Sequence, residues 1–258
     1  MPANRIELVV FDMEGTLTTH PTVWELMHQR VGTWESHGLR YWERFKAGLL
    51  EYDEFARLDV GTWKGAPVDL LDKAVEEVPL MTGCAELLGY LSKTGVRVAI
   101  VSNGLERLGL RLAREFPIAR VLANREVVLR NYLTGELDLL VPFDRKGEAL
   151  EQAARELDIP ASRVMAVGDG PADIGMFQKA AMSVAFMPTS RAVAERADHV
   201  IEAPDLRLLL PLLNQSEPSP SLARRRVRRS PRSSQLRCFG GRRRVGEGGP
   251  SSNTRSRH

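Results

Sequence analysis

The sequence has few of the features that mark secreted or membrane proteins. It holds two cysteines, Cys84 and Cys238, in 258 residues. Two could form one bridge, but Cys238 lies in a stretch too polar to build a core. A reduced, cytoplasmic protein is the simpler expectation. No apolar run approaches the roughly 18 residues of a membrane span, so no membrane partner is expected. A strand-like run follows Met1 to Asn4 at once, and no signal peptide is visible. No internal repeat is present, which sets repeat architectures aside.

Basic charge is also scarce where a nucleic-acid-binding domain would need it. The formal net charge is +3, from 36 basic and 33 acidic residues. Residues 215–258 contribute 12 arginines, no lysine and two acids, Glu217 and Glu247, for a net of +10. Residues 1–214 therefore hold 24 basic and 31 acidic side chains, a net of −7. Nucleic acid is an expected partner only through the tail. That tail is rich in Ser, Pro, Gly and Arg. It has too little apolar surface to offset its ordering entropy, so disorder is expected for 215–258. A tail with no selected role is the alternative to a binding role.

What the first 214 residues do have is a series of short apolar, β-branched runs. Ile6 to Phe11 ends at Asp12, Val96 to Val101 ends at Ser102, and Val164 to Val167 ends at Gly168-Asp169. Such runs suit the buried strands of a parallel sheet. Weaker candidates are 119–123, 183–186 and 199–201. Helical stretches at 85–94 and 146–157 separate them, which predicts an α/β fold with a doubly wound, mostly parallel, Rossmann-like sheet. The catalytic core is expected over 1–17 and 81–214. Residues 18–80 interrupt the rhythm with helical spacings such as Trp24, Met27, His28 and Val31, and hold all four tryptophans (Trp24, Trp34, Trp42, Trp63). They read as a small helical cap inserted after the first strand. The tryptophans would form its core, and the module would also lie over the site.

Parallel strands in such a sheet deliver their C-terminal ends to one edge, where these folds bind ligands. Asp12, Ser102 and Asp169 would meet there. Each alone is an ordinary turn residue; three together suggest a site. Asp12 and Glu14 are two positions apart, with Gly15 allowing a sharp turn behind them. Two close carboxylates joined by Asp169 make a hard, oxygen-rich set suited to Mg2+. An anionic phosphate is the usual partner of such a set. Ser102 could donate to a phosphoryl oxygen and Lys146, at a helix start, could neutralise another; alone, Lys146 also reads as a surface lysine. Gly168 and Gly170 keep side chains away from the metal edge, and Pro171 can open a helix. Asp173 could face back to the metal or complement the helix dipole.

These residues resemble the haloacid dehalogenase superfamily, and within it the phosphoserine phosphatase-like branch. Asp12-Met13-Glu14-Gly15-Thr16-Leu17-Thr18 is similar to the first family motif and Val101-Ser102-Asn103-Gly104 to the second. Lys146 matches the third, and Gly168-Asp169-Gly170-Pro171-Ala172-Asp173 the fourth. The resemblance covers about residues 5–210. It implies a nucleophilic Asp12 that forms an aspartyl-phosphate and an acid–base Glu14. It implies Mg2+ held by Asp12, the Glu14 backbone carbonyl and Asp169, with Asp173 in support. Ser102, Asn103 and Lys146 would bind the phosphoryl group. The implied activity is hydrolysis of a small phosphorylated metabolite, with phosphoserine the leading named substrate. Phosphoryl transfer from the same intermediate to another acceptor is the alternative.

The sequence departs from the family at several places. Glu14 stands where Asp is usual, and Ala172 where Asn is common. The cap Glu and Arg of phosphoserine enzymes fall on Pro21 and Asp59, with Arg57 two residues from the latter. Arg30, Arg40, Arg44, Arg57, His20 and His28 are further cap candidates for the non-reacting end of a substrate, each more simply read as exposed or structural.

Overall fold

The computed structural model describes residues 5–213. The tail at 215–258 and Cys238 lie outside the described residues. Among the described residues, no helix is long and apolar enough to cross a membrane.

β1 (Leu8–Phe11) is the centre of the fold, and all four of its residues are buried. It pairs in parallel with β2 (Arg97–Leu105) on one side and β5 (Val164–Gly168) on the other. β3 (Arg120–Leu129) and β4 (Tyr132–Asp138) extend the sheet beyond β2; β6 (Met182–Phe186) and β7 (His199–Ile201) extend it beyond β5. The order is β4-β3-β2-β1-β5-β6-β7, and only β4 runs antiparallel. Strand order therefore reverses between β1 and β5. That reversal opens a crevice at the carboxyl ends of these two strands, where the sequence places Asp12 and Asp169.

The side chains of β1 alternate between two cores, Val9 and Phe11 on one face and Leu8 and Val10 on the other. Burial on both faces explains its unbroken apolar sequence. Helices α5 (Cys84–Thr94) and α6 (Glu106–Glu115) cover one face, through Leu87, Leu88, Leu91, Leu108 and Leu112. Helices α7 (Lys146–Glu156) and α8 (Ile174–Lys179) cover the other, through Leu150, Ala153 and Met176. Gly147 and Gly175 let α7 and α8 touch: a Cβ on Gly147 would lie 2.6 Å from the Gly175 carbonyl oxygen. The contact draws together the starts of the two helices, where Lys146 and Asp173 sit.

Between β1 and α5 the chain forms α1 (Val23–Val31), α2 (Leu39–Lys46), α3 (Tyr52–Thr62) and α4 (Val68–Glu77). Thr22 caps α1 by accepting from the Glu25 N–H, and Gly32 ends it in the left-handed conformation. Trp63 and Trp24 are buried, as expected of core residues, whereas Trp42 is 38% exposed on α2, a helix with no buried residue. His28 and Asp59 are buried side by side at 3.1 Å, and His28 Nδ1 lies 2.7 Å from the Thr33 hydroxyl. Asp59 is thus part of the packing between these helices.

Two strands differ from the expectation. β2 does not stop at Ser102 but continues irregularly to Leu105, with a register break between Val101 and Leu105. β3 runs on past 123 into a hairpin with β4. The turn is Arg130-Asn131, both at positive φ, without the glycine that flags most such turns.

Candidate active site

Asp12 leaves β1 in sheet register, its N–H donating to the Val167 carbonyl of β5 at 2.8 Å. Its carboxylate joins those of Asp169 and Asp173, with one oxygen of each within 4.8 Å of the others. Lys146 reaches into the group from the start of α7. Its ammonium donates to Asp12 Oδ1 at 2.7 Å and to Asp173 Oδ1 at 2.5 Å, with only 2% of the residue exposed. The second oxygen of Asp173 accepts from the backbone N–H groups of Asp169 and Gly170, at 2.9 and 2.8 Å. Asp173 therefore braces the loop that carries Asp169. Asp169 accepts from the Thr16 hydroxyl at 3.2 Å and lies against Gly15. Gly15 has φ +86°, and a Cβ there would sit 2.8 Å from that carboxylate.

Three carboxylates around one ammonium set the electrostatics. Burial, then the charges of Asp12 and Asp173, push the Asp169 carboxyl well above the usual range. Asp173 is also raised, by burial, against the opposing pull of Lys146. Burial disfavours the Lys146 charge, but Asp12 and Asp173 outweigh it and hold the ammonium above its usual range. Such a pocket has more negative charge than one lysine neutralises. A hard divalent cation bound by oxygen would relieve it, so the donor set fits Mg2+.

Glu14 is two residues from Asp12, but its carboxylate is not part of this cluster. It accepts from the Val23 N–H and from Trp24 Nε1, both at 3.0 Å, at the start of α1. Burial is the main cause of its raised pKa, about 7, with Asp12 adding to it. The carboxylate pairing read from the Asp12/Glu14 spacing is thus replaced by Asp12 with Asp169 and Asp173. Glu14 is a separate acid, enclosed under α1, that titrates near neutrality.

Ser102 is buried on the irregular end of β2, and its Oγ accepts from the Gly104 N–H at 3.1 Å. A Cβ on Gly104 would lie 2.8 Å from Glu14 Oε2 and 3.4 Å from Ser102 Oγ, so these groups share one wall. The Asn103 side chain points elsewhere. Its side-chain amide donates to the Val141 carbonyl at 2.9 Å, while the Asn103 backbone carbonyl accepts from Tyr52 and from Asn124. Asn124 also accepts from the Val141 N–H at 2.8 Å. The second-motif loop is therefore pinned from both sides by a buried amide pair.

Sequence reasoning missed Tyr52, Asn124 and the polar role of Trp24. The sequence suggests a core role for the tryptophans in a module over the site but no polar contact from the Trp24 indole, and nothing near residue 124 signals a site. Tyr52 donates to the Asn103 carbonyl at 2.8 Å and stacks on Phe143, three residues before Lys146. The basic side chains considered for the non-reacting end of a substrate do not converge. Arg30 pairs with Glu77 at 2.6 Å, His28 with Asp59, and His20, Arg40, Arg44 and Arg57 are exposed.

Residues 9–178 match the model of the haloacid dehalogenase-like hydrolases, and the chain belongs to that family. Within it, this is a phosphatase of the phosphoserine phosphatase-like branch. It is 30% identical over 205 residues to the phosphoserine phosphatase of Methanocaldococcus jannaschii, covering 79% of this chain and 96% of the relative. It is 29% identical over 209 residues to that of Streptococcus thermophilus, covering 81% and 96%. A substrate-bound phosphoserine phosphatase structure superposes with a TM-score of 0.73 at 28% identity, covering 81% of this chain and 98% of that one. A phospho-aspartyl intermediate analogue of phosphoserine phosphatase gives 0.72 at 29%, covering 81% and 99%.

Proposed function

We propose that this phosphatase hydrolyses a small phosphomonoester in a Mg2+-dependent reaction with Asp12 as the nucleophile. One observation carries the reading. At the point where strand order reverses, a buried lysine holds Asp12 beside two further carboxylates. A carboxylate fixed in place by the Lys146 ammonium is suited to attack phosphorus and become an aspartyl-phosphate.

Glu14 supplies the proton. With a pKa near 7 it is partly protonated at neutral pH, can protonate the leaving oxygen, and can then take a proton from the attacking water. The bonds from Val23 and Trp24 orient it, so the start of α1 is part of the acid–base machinery. The Ser102 hydroxyl and the Lys146 ammonium bind the phosphoryl oxygens. Asn103 contributes by fixing the loop that presents Ser102. Asp12, Asp169 and Asp173, with the Glu14 backbone carbonyl, would hold Mg2+, which when bound offsets the charge of the phosphoryl group. Residues 18–80 act as a cap, supported by the bonds from Val23 and Trp24 to Glu14 and from Tyr52 to Asn103.

The test is phosphate release from 4-nitrophenyl phosphate and from phosphoserine, the substrate in the relatives' names, with Mg2+ and with a chelator. Activity should require Mg2+ and be lost in Asp12→Asn. Wild-type turnover by Asp12→Asn would sink the mechanism.

A further inference from the structure

Tyr52 opens α3, outside the four motifs, yet its hydroxyl meets the second of them. Its ring packs against three others. It stacks on Phe143 at 5.3 Å and meets Phe45 and Phe55 edge-on at 5.7 and 6.0 Å. Such packing fixes the direction of the phenol. The hydroxyl donates to the backbone carbonyl of Asn103 at 2.8 Å. Asn124, buried and anchored at its other end by the Val141 N–H, donates to the same oxygen at 2.7 Å. A carbonyl oxygen has two lone pairs, and both are engaged here. β2 loses register between Val101 and Leu105, so at this point side chains take the place of a neighbouring strand.

The other end of the same peptide unit is the Gly104 N–H. In a planar trans peptide the carbonyl and the N–H point in opposite directions. Two donors on the Asn103 oxygen therefore aim that N–H away from Tyr52 and Asn124. It meets Ser102 Oγ at 3.1 Å, and Ser102 is buried. A serine hydroxyl has two lone pairs and one proton. Gly104 fills a lone pair, and the proton has no acceptor among the described residues, so it is left for a ligand oxygen. The bonds all run one way, from Tyr52 and Asn124 through the peptide to Ser102. Hydrogen bonds in such a chain polarise one another. Each donor on the Asn103 carbonyl strengthens the Gly104 N–H, which in turn fixes Oγ and makes the Ser102 hydroxyl a better donor.

We propose that the Tyr52 hydroxyl is a positioning group for phosphoryl binding, which acts on Ser102 through the Asn103–Gly104 peptide. The inference rests on the reading that Ser102 binds the phosphoryl group, and extends that reading to a residue of α3.

Tyr52→Phe keeps the ring and its stacking and removes only the donor. Hydrolysis of 4-nitrophenyl phosphate by the full chain with Mg2+ is compared in wild type, Tyr52→Phe, Ser102→Ala and the double variant. kcat/KM should fall about three- to tenfold in Tyr52→Phe, the worth of one hydrogen bond. In the Ser102→Ala background the same change should cost less than about twofold, because the group it acts on is gone. Should Tyr52→Phe not fold, Asn124→Ala, which removes the other donor to the same oxygen, goes through the same cycle with the same expectation. A hydroxyl that only supported the packing of α3 would cost the same factor in both backgrounds. That result, or a wild-type kcat/KM in Tyr52→Phe, overturns this inference and leaves the phosphatase reading intact. A wild-type kcat/KM in Ser102→Ala overturns the reading of Ser102 and this inference with it.

Discussion

Replacing Lys146 by methionine tests the electrostatic design of the site without changing its volume greatly. The substitution removes two charge-assisted hydrogen bonds, at 2.7 and 2.5 Å, from a residue that is 2% exposed. Removing one partner of a buried ion pair costs about 3–5 kcal/mol. A second route gives a similar figure. Without the ammonium, the cheapest relief is protonation of one of the carboxylates left behind. Holding an aspartic acid protonated costs about 1.4 kcal/mol for each pH unit above its unfolded pKa of about 4, or roughly 4 kcal/mol at pH 7. The sign follows from a folded pKa raised above the unfolded one: the variant loses stability as pH rises and regains it as pH falls. The deficit relative to wild type should shrink from about 4 kcal/mol at pH 7 to about 1.5 kcal/mol at pH 5. Urea unfolding followed by circular dichroism at the two pH values, in chelator, measures it. A deficit below about 1 kcal/mol at pH 7, or one equal at both pH values, would refute the claim that Lys146 neutralises a buried carboxylate cluster.

Glu14→Gln keeps a side chain under Val23 and Trp24 but cannot donate a proton to the leaving group. Hydrolysis of an alkyl phosphate should fall by about 10²–10⁴, and of 4-nitrophenyl phosphate, whose phenolate leaves readily, by much less. In wild type, kcat for the alkyl ester should decline as pH rises through about 7, where Glu14 loses its proton. Equal losses on both substrates, or a kcat flat across that range, would remove Glu14 as the acid. Gly15→Ala places a Cβ against Asp169 at a φ of +86°. Stability should fall by about 1–2 kcal/mol, and the Mg2+ concentration giving half-maximal activity should rise. An unchanged Mg2+ dependence in a folded variant would mean that Gly15 does not set the position of Asp169.

The site was largely legible because parallel-sheet physics makes strand ends meaningful. A short apolar run buried on both faces ends where its side chains cease to be covered. The polar residues after β1, β2 and β5 therefore announce the crevice edge. Asp12, Ser102 and Asp169 were placed in this way, and Lys146 and Asp173 follow from helix starts next to those loops. What the sequence hid depends on contacts between distant segments. Glu14 reads as a partner of Asp12 by spacing alone, yet the Val23 N–H and the Trp24 indole, nine and ten residues on, take its carboxylate. Asn124 supports the second-motif loop through pairings 17 and 21 residues away. β4 was missed because its turn uses Arg130 and Asn131 where glycine is the usual signal. Asp59, at the place of a substrate-binding arginine in the family, is buried against His28. Packing among α1 to α4 thus decides what remains to meet a substrate.

The central claim is that Asp12 carries the phosphoryl group. Acid-quenching the protein during turnover of a labelled phosphomonoester with Mg2+, followed by peptide mass analysis, tests it most directly. The account predicts one phosphoryl group on Asp12 and none in Asp12→Asn. Label on a different residue, or turnover by Asp12→Asn at the wild-type rate, would contradict it.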